Sequence, residues 1–173
     1  YYVPEKNTEP LWQALRDGTI DLVSTDHAPH LREEKERGWT DGWKAHTGTP
    51  STQFYVPLFV DAAVSGVLPL ERVVDLVATA PARTFGLANK GRLEVGADAD
   101  IAIVDLDAEL EIRDEIVLSK IGWTPYAGRR VRGAVQATLV RGRVVYQDGT
   151  VTGRPGWGRQ ARPDTSFRER TRE

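Results

Sequence analysis

The residues Thr25-Asp26-His27-Ala28-Pro29-His30 follow directly after a short apolar run, and this junction decides both the fold and the candidate site. The run occupies residues 20–24 and has polar flanks, which predicts a short buried strand. In α/β barrels the active site lies at the C-terminal ends of the strands. We therefore predict that Asp26 lies at the C-terminal end of a strand, where a residue of an α/β barrel would take part in chemistry.

A carboxylate in this position can ligate a divalent metal ion and accept a proton from the water that the ion coordinates. Coordination lowers the pKa of that water to about 7, and a neighbouring carboxylate is then a suitable general base that returns the proton to a leaving nitrogen. His27 and His30 can each ligate a metal or donate a hydrogen bond to a substrate. From the pattern alone the alternative stays open that Asp26 caps a turn and both histidines are surface residues, because so short a motif also arises by chance.

Composition restricts the class of protein. Of the 173 residues 40% are hydrophobic and 28% are charged, which is typical of a globular protein. The net charge of -2 and the lack of an apolar run of about 20 residues predict no nucleic-acid and no membrane partner. There is no cysteine, so disulfides, thiolate metal sites and cysteine nucleophiles are excluded. The chain also lacks methionine, and we expect it to be truncated.

Apolar periodicity and turn residues predict the elements. Helices are expected over residues 8–17, 51–65 (with Ser51 as its cap), 70–77 and 80–87, and strands over 101–104, 134–140 and 143–146. Residues 27–50 are expected to form a long loop with one exposed helical turn at the charged residues 32–37. Residues 70, 73, 74 and 77 are expected to form a packed apolar stripe.

Five segments in the same order resemble the cyclic amidohydrolases of the dihydroorotase, hydantoinase and allantoinase kind. They are residues 17–30 (DGTIDLVSTDHAPH), 80–87 (APARTFGL), 90–100 (KGRLEVGADAD), 123–128 (WTPYAG) and 140–145 (VRGRVV). The resemblance covers about residues 8–150, and its specificity comes from the order of the segments.

The resemblance implies an α/β fold: the C-terminal part of a metal-dependent TIM-barrel hydrolase, with its last strand and helices, plus a small β-sandwich domain. The implied domains are residues 1–90 for the barrel portion, 91–150 for the β domain and 151–173 for a C-terminal tail. The implied activity is metal-dependent hydrolysis of a cyclic amide C–N bond, with dihydroorotase of pyrimidine biosynthesis first and allantoinase or hydantoinase/dihydropyrimidinase as the alternative. An alternative of another class is a non-catalytic scaffold that keeps the barrel.

The resemblance also implies roles for particular residues. Asp26 matches the metal-associated aspartate and catalytic base, His30 the histidine that binds the substrate carboxylate, and Pro50 a substrate-binding loop. His27 is expected to hold Asp26 in position without binding the metal itself. Ser51 replaces the glycine that ends the family's Gly-x-Pro-Gly loop, and we expect its side chain near the substrate ring. His46 matches no family ligand and is interpreted as a loop residue.

The remaining parts of such a site are not in this chain. The family builds a centre of two divalent ions, here expected to be zinc, from a His-x-His pair, a lysine and two further histidines on earlier strands, whereas this chain has three histidines and no His-x-His. The chain is therefore expected to be a C-terminal fragment that is inactive alone. The full-length protein is expected to be cytoplasmic, to act on a small cyclic amide and to form a homodimer or homotetramer.

Overall fold

The computed structural model describes residues 5–164, in which helices precede a single antiparallel sheet. The helices are α1 (Thr8–Arg16), α2 (Arg32–Glu36), α3 (Thr52–Val64), α4 (Leu70–Val74) and α5 (Ala80–Phe85). The strands are β1 (Ile101–Glu111), β2 (Arg130–Val140), β3 (Arg143–Gln147) and β4 (Thr150–Val151). The predicted mixed α/β content is confirmed, and the helical turn predicted in the long loop is α2.

A π-helical turn joins α4 to α5. The sequence predicts two separate helices here, but Asp75–Thr79 connects them without a break. Pro81 lies at the start of α5 and has no N–H to donate to the preceding turn. A π-turn widens the helix by one residue, and it lies directly before the proline, where the regular hydrogen-bond pattern is interrupted.

Two apolar clusters stabilise the described chain, and α3 contributes to both. The first contains the buried residues Leu15, Leu68, Val73 and Leu76. The second contains Phe54, Ile112 and Val131. Helix α3 places Phe59 against the first cluster and Phe54 within the second. It therefore connects the helices to the sheet.

The apolar stripe predicted over residues 70–77 is only partly buried. Val73 is 2% exposed, whereas Leu70 is 39% exposed and Val74 50% exposed. The prediction of a fully packed stripe is therefore wrong for the described chain, because the packed surface reaches only one side of α4.

The sheet has the order β1-β2-β3-β4, with every neighbouring pair antiparallel. A tight hairpin at Arg141 and Gly142 joins β2 to β3, as predicted, and both residues have positive φ (48° and 75°). Gly133 of β2 lies against α3, where an added Cβ would come within 2.3 Å of Val60 Cγ1. The described residues form this one sheet and no second sheet facing it, so the β-sandwich remains a prediction for a longer chain.

The strand predicted over residues 20–24 is not formed in the described chain. These residues have no regular secondary structure. Val23 N–H donates to the Leu76 carbonyl at 3.3 Å and so connects the segment to the helices. A strand needs a hydrogen-bonded neighbour, and the described residues provide none beside this segment. The first bridge comes three residues later, where His27 pairs in parallel with Thr49.

The segment after β4 lies against the sheet and the helices. Gly153 N–H donates to the Val145 carbonyl at 2.9 Å, and the Trp157 indole N–H donates to the Val140 carbonyl at 2.8 Å. Asp164 N–H then reaches the Gly86 carbonyl at 2.7 Å. The rest of the predicted tail, residues 165–173, lies outside the described residues. Within residues 5–164, no helix combines the length and apolar character that a membrane crossing requires.

An ion-pair cluster fixes the turn after α5 to the hairpin. The Lys90 ammonium pairs with Asp98 at 2.9 Å and with Asp100, and Asp100 also accepts the Arg141 backbone N–H at 2.7 Å. Lys90 therefore neutralises both acids, and the cluster stabilises the turn. Burial by itself would raise the pKa of Asp100, but the hydrogen bonds from Lys90 and Arg141 outweigh it and hold the pKa below the usual 3.8.

This lowered pKa predicts a pH-dependent stability. A carboxylate whose pKa falls on folding stabilises the folded state above its ordinary pKa, and this contribution disappears as the pH falls through the lowered value. We expect Asp100→Asn to reduce the melting temperature near neutral pH and the difference from wild type to shrink below about pH 4. Thermal unfolding followed by circular dichroism across this range measures the effect, with the exposed Asp107→Asn as control. A difference that stays constant with pH would contradict the assignment.

Candidate active site

Asp26 follows shortly after residues 20–24, and its carboxylate is bound by no other protein group of the described chain. Its φ is +44°, in the left-handed region that aspartate and asparagine tolerate better than most residues. The residue is exposed, and within residues 5–164 its carboxylate has no hydrogen-bond or ion-pair partner. The carboxylate is therefore available to a ligand.

His27 contacts the start of α3 rather than Asp26. Its Nδ1 accepts hydrogen bonds from the backbone N–H groups of Ser51 (3.0 Å) and Thr52 (3.2 Å). These groups belong to the helix N-terminus, where N–H donors have no partner within the helix. Since Nδ1 is the acceptor, the ring proton of neutral His27 lies on Nε2. The imidazole thus fixes α3 to the residue that follows Asp26, a role that the sequence did not reveal.

Ser51 faces the protein interior and not the expected substrate space. It is 6% exposed, and its hydroxyl lies 3.1 Å from the Thr25 carbonyl and 3.4 Å from the Thr49 carbonyl. Ser51 is the N-cap residue of α3, as predicted, but its side chain makes no capping hydrogen bond, because the hydroxyl bonds these carbonyls while His27 binds the helix N–H groups. Because the side chain points inward, the structure does not support the expectation that Ser51 lies near the substrate ring.

We expect Ser51→Ala to destabilise the protein by about 1–2 kcal/mol, because the Thr25 carbonyl loses its hydroxyl partner. Chemical denaturation would measure the change. Thr47→Ala is the control, since Thr47 is exposed in the preceding loop and its hydroxyl has no partner within the described chain. Equal stability of the two variants would contradict a role for the Ser51 hydroxyl in holding this junction.

The end of the long loop packs directly on the segment after Asp26. Ala28 N–H donates to the Thr49 carbonyl at 3.1 Å, next to the bridge between His27 and Thr49. Gly48 has φ +100°, and a Cβ at this position would lie 2.4 Å from the Ala28 Cβ. Pro50 is buried. Its assignment as a substrate-binding residue stays a prediction, and its burial limits such a contact to a small surface.

His30 is held from three directions. Its carbonyl accepts the Trp123 indole N–H at 2.8 Å, and its Nδ1 lies 3.7 Å from a Glu34 carboxylate oxygen. Its ring lies 4.9 Å from that of His46, centroid to centroid, with the planes inclined by 43°. The sequence did not predict this last contact. The one available signal was that all three histidines of the chain fall within residues 27–46.

Lys35 fixes the path of the long loop. Its ammonium donates to the carbonyls of His46 (2.6 Å) and Gly48 (2.7 Å), and so joins α2 to the far end of the loop. Trp39 and Trp43 lie between these points and are 88% and 100% exposed. Within the described chain both indole side chains are therefore open to solvent.

The segment between β1 and β2 reaches the site and anchors it. Asp114 pairs with Arg32 at 3.1 Å, close to the bond from Trp123 to His30. Gln53, in the first turn of α3, donates to the Ile116 carbonyl at 2.7 Å and accepts the Leu118 N–H at 2.9 Å. These bonds fix both α2 and α3 to the sheet region.

A metal ion can be held here only in part by the described residues. Among residues 5–164, no three histidine, aspartate or glutamate side chains come together in an arrangement able to bind a metal. Asp26 nevertheless fits as one ligand, because its carboxylate is exposed and unpaired. A complete centre requires ligands from outside this part of the chain.

The model of the amidohydrolase family matches residues 3–145. The chain belongs to the amidohydrolase family. It is similar to the dihydroorotase of Pyrococcus abyssi, with 42% identity over 87% of this chain and 35% of that protein. It is also similar to the L-hydantoinase of Paenarthrobacter aurescens, with 39% identity over 86% of this chain and 33% of that protein.

A solved amidohydrolase structure shares the fold. The D-hydantoinase (dihydropyrimidinase) from Thermus sp. superimposes with a TM-score of 0.87 at 32% identity, covering 94% of this chain and 36% of that one. This chain therefore spans about a third of the length of its relatives, and the shared part includes both the helices and the sheet.

Proposed function

We propose that this chain is the C-terminal portion of an enzyme that hydrolyses a cyclic amide C–N bond with the help of divalent metal, and that Asp26 is both a metal ligand and the general base. The observation that carries the proposal is the unpaired, exposed Asp26 carboxylate, shortly after residues 20–24, in a member of the amidohydrolase family. Two similar proteins, a dihydroorotase and an L-hydantoinase, are named as cyclic amidohydrolases, and this similarity supports the proposal.

The proposed chemistry assigns a proton path to this chain. Asp26 accepts a proton from the attacking water as oxygen bonds to the ring carbonyl carbon, and it delivers that proton to the nitrogen as the C–N bond breaks. Asp26 would be one ligand of a divalent ion, proposed as zinc in a two-ion centre, and the ion would act as a Lewis acid that lowers the pKa of the attacking water. His30 orients the substrate, with Pro50 beside it in the loop.

The larger assembly is part of the proposal. Residues 1–90 would complete the end of a TIM barrel, residues 91–150 a β-sandwich domain, and residues 151–173 a tail. Leu70, Val74 and Phe85, each more than a third exposed here, would then be covered by further chain. The full-length protein is proposed to be a cytoplasmic homo-oligomer of pyrimidine biosynthesis, and this chain alone to be inactive.

Dihydroorotate is the proposed substrate because of the Asp26 to His30 motif. A hydantoin or allantoin is the second candidate, favoured by the L-hydantoinase relative and the D-hydantoinase structure. The test is turnover of dihydroorotate, allantoin and hydantoin by metal-loaded full-length protein, with products separated by chromatography. We expect ring opening, fastest with dihydroorotate. Metal-loaded protein that opens none of these rings would overturn the proposal in favour of a non-catalytic scaffold.

A further inference from the structure

The second imidazole beside His30 has no role in the chemistry described so far. His46 comes from the far end of the long loop, yet its ring centroid lies 4.9 Å from that of His30. We propose that His46 is a substrate-positioning residue that forms, with His30, a two-imidazole subsite for a carboxylate on the substrate ring. This inference rests on the proposed function, because it concerns the same site.

Both imidazoles project from backbone that is fixed by specific bonds. The His46 carbonyl accepts the Lys35 ammonium at 2.6 Å, and the His30 carbonyl accepts the Trp123 indole N–H at 2.8 Å. The parallel bridge between His27 and Thr49, three residues from each histidine, joins the two segments. These contacts hold the backbone on both sides of the ring pair, which reduces the ordering that a ligand would have to impose.

One cation and one acid lie beside the ring pair. The Lys35 ammonium, close to the His46 backbone, bonds only carbonyl oxygens in the described chain and has no carboxylate partner there. The facing acid is Glu34, whose Oε2 lies 3.7 Å from His30 Nδ1 and also accepts the Leu31 N–H at 2.8 Å. Glu34 thus occupies the Nδ1 edge of His30 and leaves the Nε2 edge to a ligand. Nε2 donates to a ligand carboxylate when both ring nitrogens carry a proton, so that the ring lies between two carboxylates.

An imidazole N–H matches a carboxylate oxygen as a hydrogen-bond donor. His46 is exposed and His30 is partly exposed, with 29% of its side-chain surface accessible, so both rings can be reached. A cyclic amide without a carboxylate has no anionic group that could bind to the two imidazoles. The pair should therefore favour carboxylate-bearing cyclic amides over unsubstituted hydantoins.

Kinetics with two variants separates ring packing from hydrogen bonding. His46→Phe keeps an aromatic ring against His30 but removes the N–H donor, whereas His46→Asn keeps a donor and removes the ring. In metal-loaded full-length protein we expect His46→Phe to raise KM for dihydroorotate by about tenfold, with little change in KM for hydantoin. His46→Asn should recover part of the loss. Trp43→Phe, a fully exposed change in the same loop, is the control.

A binding measurement keeps this inference separate from the proposed catalysis. Calorimetry compares orotate with uracil, which has the same ring without the carboxylate. Wild-type protein should bind orotate more tightly, and His46→Phe should remove most of that preference, whether or not any ring is hydrolysed. The inference is overturned if wild-type protein shows no preference for orotate, or if His46→Phe retains it. Wild-type protein that prefers orotate over uracil but hydrolyses no ring would instead overturn the proposed function.

Discussion

Replacing Asp26 by asparagine is expected to lower kcat of the full-length enzyme by about 10³-fold or more, because general-base catalysis contributes about 10²–10⁴-fold and a metal ligand is weakened as well. Asparagine is the informative substitution. It tolerates the left-handed conformation seen at φ +44°, so the backbone strain that alanine would add is avoided. Steady-state kinetics with the best substrate measures the effect.

The matched control for this substitution is Glu33→Gln. It makes the same change from carboxylate to amide at an exposed position of α2, and we expect activity within about twofold of wild type because surface changes have small effects. Comparable activity of Asp26→Asn and wild type would remove Asp26 from the mechanism. An equal loss in both variants would show that net charge, and not the Asp26 position, is responsible.

Gly48→Ala is expected to destabilise the protein by about 2–6 kcal/mol and to reduce activity. The new methyl would lie 2.4 Å from the Ala28 Cβ, and φ at +100° is unfavourable for alanine. Overpacking costs about 1–3 kcal/mol, and a strained backbone costs about the same again. Relief of the clash requires the Thr49 carbonyl and Ala28 N–H to separate, so the segment after Asp26 should move.

Gly42→Ala provides the comparison for Gly48→Ala. Gly42 lies in the same loop, and a Cβ at this position would meet nothing within 4 Å. Thermal unfolding and kcat/KM of both variants should show losses for Gly48→Ala alone. A Gly48→Ala protein with wild-type stability would mean that the loop does not pack on Ala28 as described.

The elements that could be predicted from sequence are those that local residues determine. The spacing of apolar residues around Leu15 predicted α1, and the Arg141-Gly142 turn predicted the hairpin, because helix and hairpin bonds join near neighbours. Asp26 was predicted to be a site residue from its place after an apolar run. The structure adds that its carboxylate is exposed and unpaired, which is compatible with the predicted role and leaves that role to experiment.

The features that could not be predicted depend on contacts between distant segments. Residues 20–24 form no strand, because the described residues include no neighbouring strand to which they could hydrogen-bond. His27 binds the start of α3, 24 residues along the chain, and His46 meets His30 only because the loop folds back. Ser51 points inward since the Thr25 carbonyl, on another segment, lies within reach. No local pattern encodes these approaches.

The metal position in crystals of the full-length protein tests the central claim most directly. An anomalous-scattering map should place a divalent ion about 2.0–2.2 Å from an Asp26 carboxylate oxygen. The remaining ligands should come from chain outside residues 5–164, since the described residues offer no complete set. A fully occupied metal centre that leaves Asp26 beyond coordinating distance would contradict the claim that this residue serves the metal.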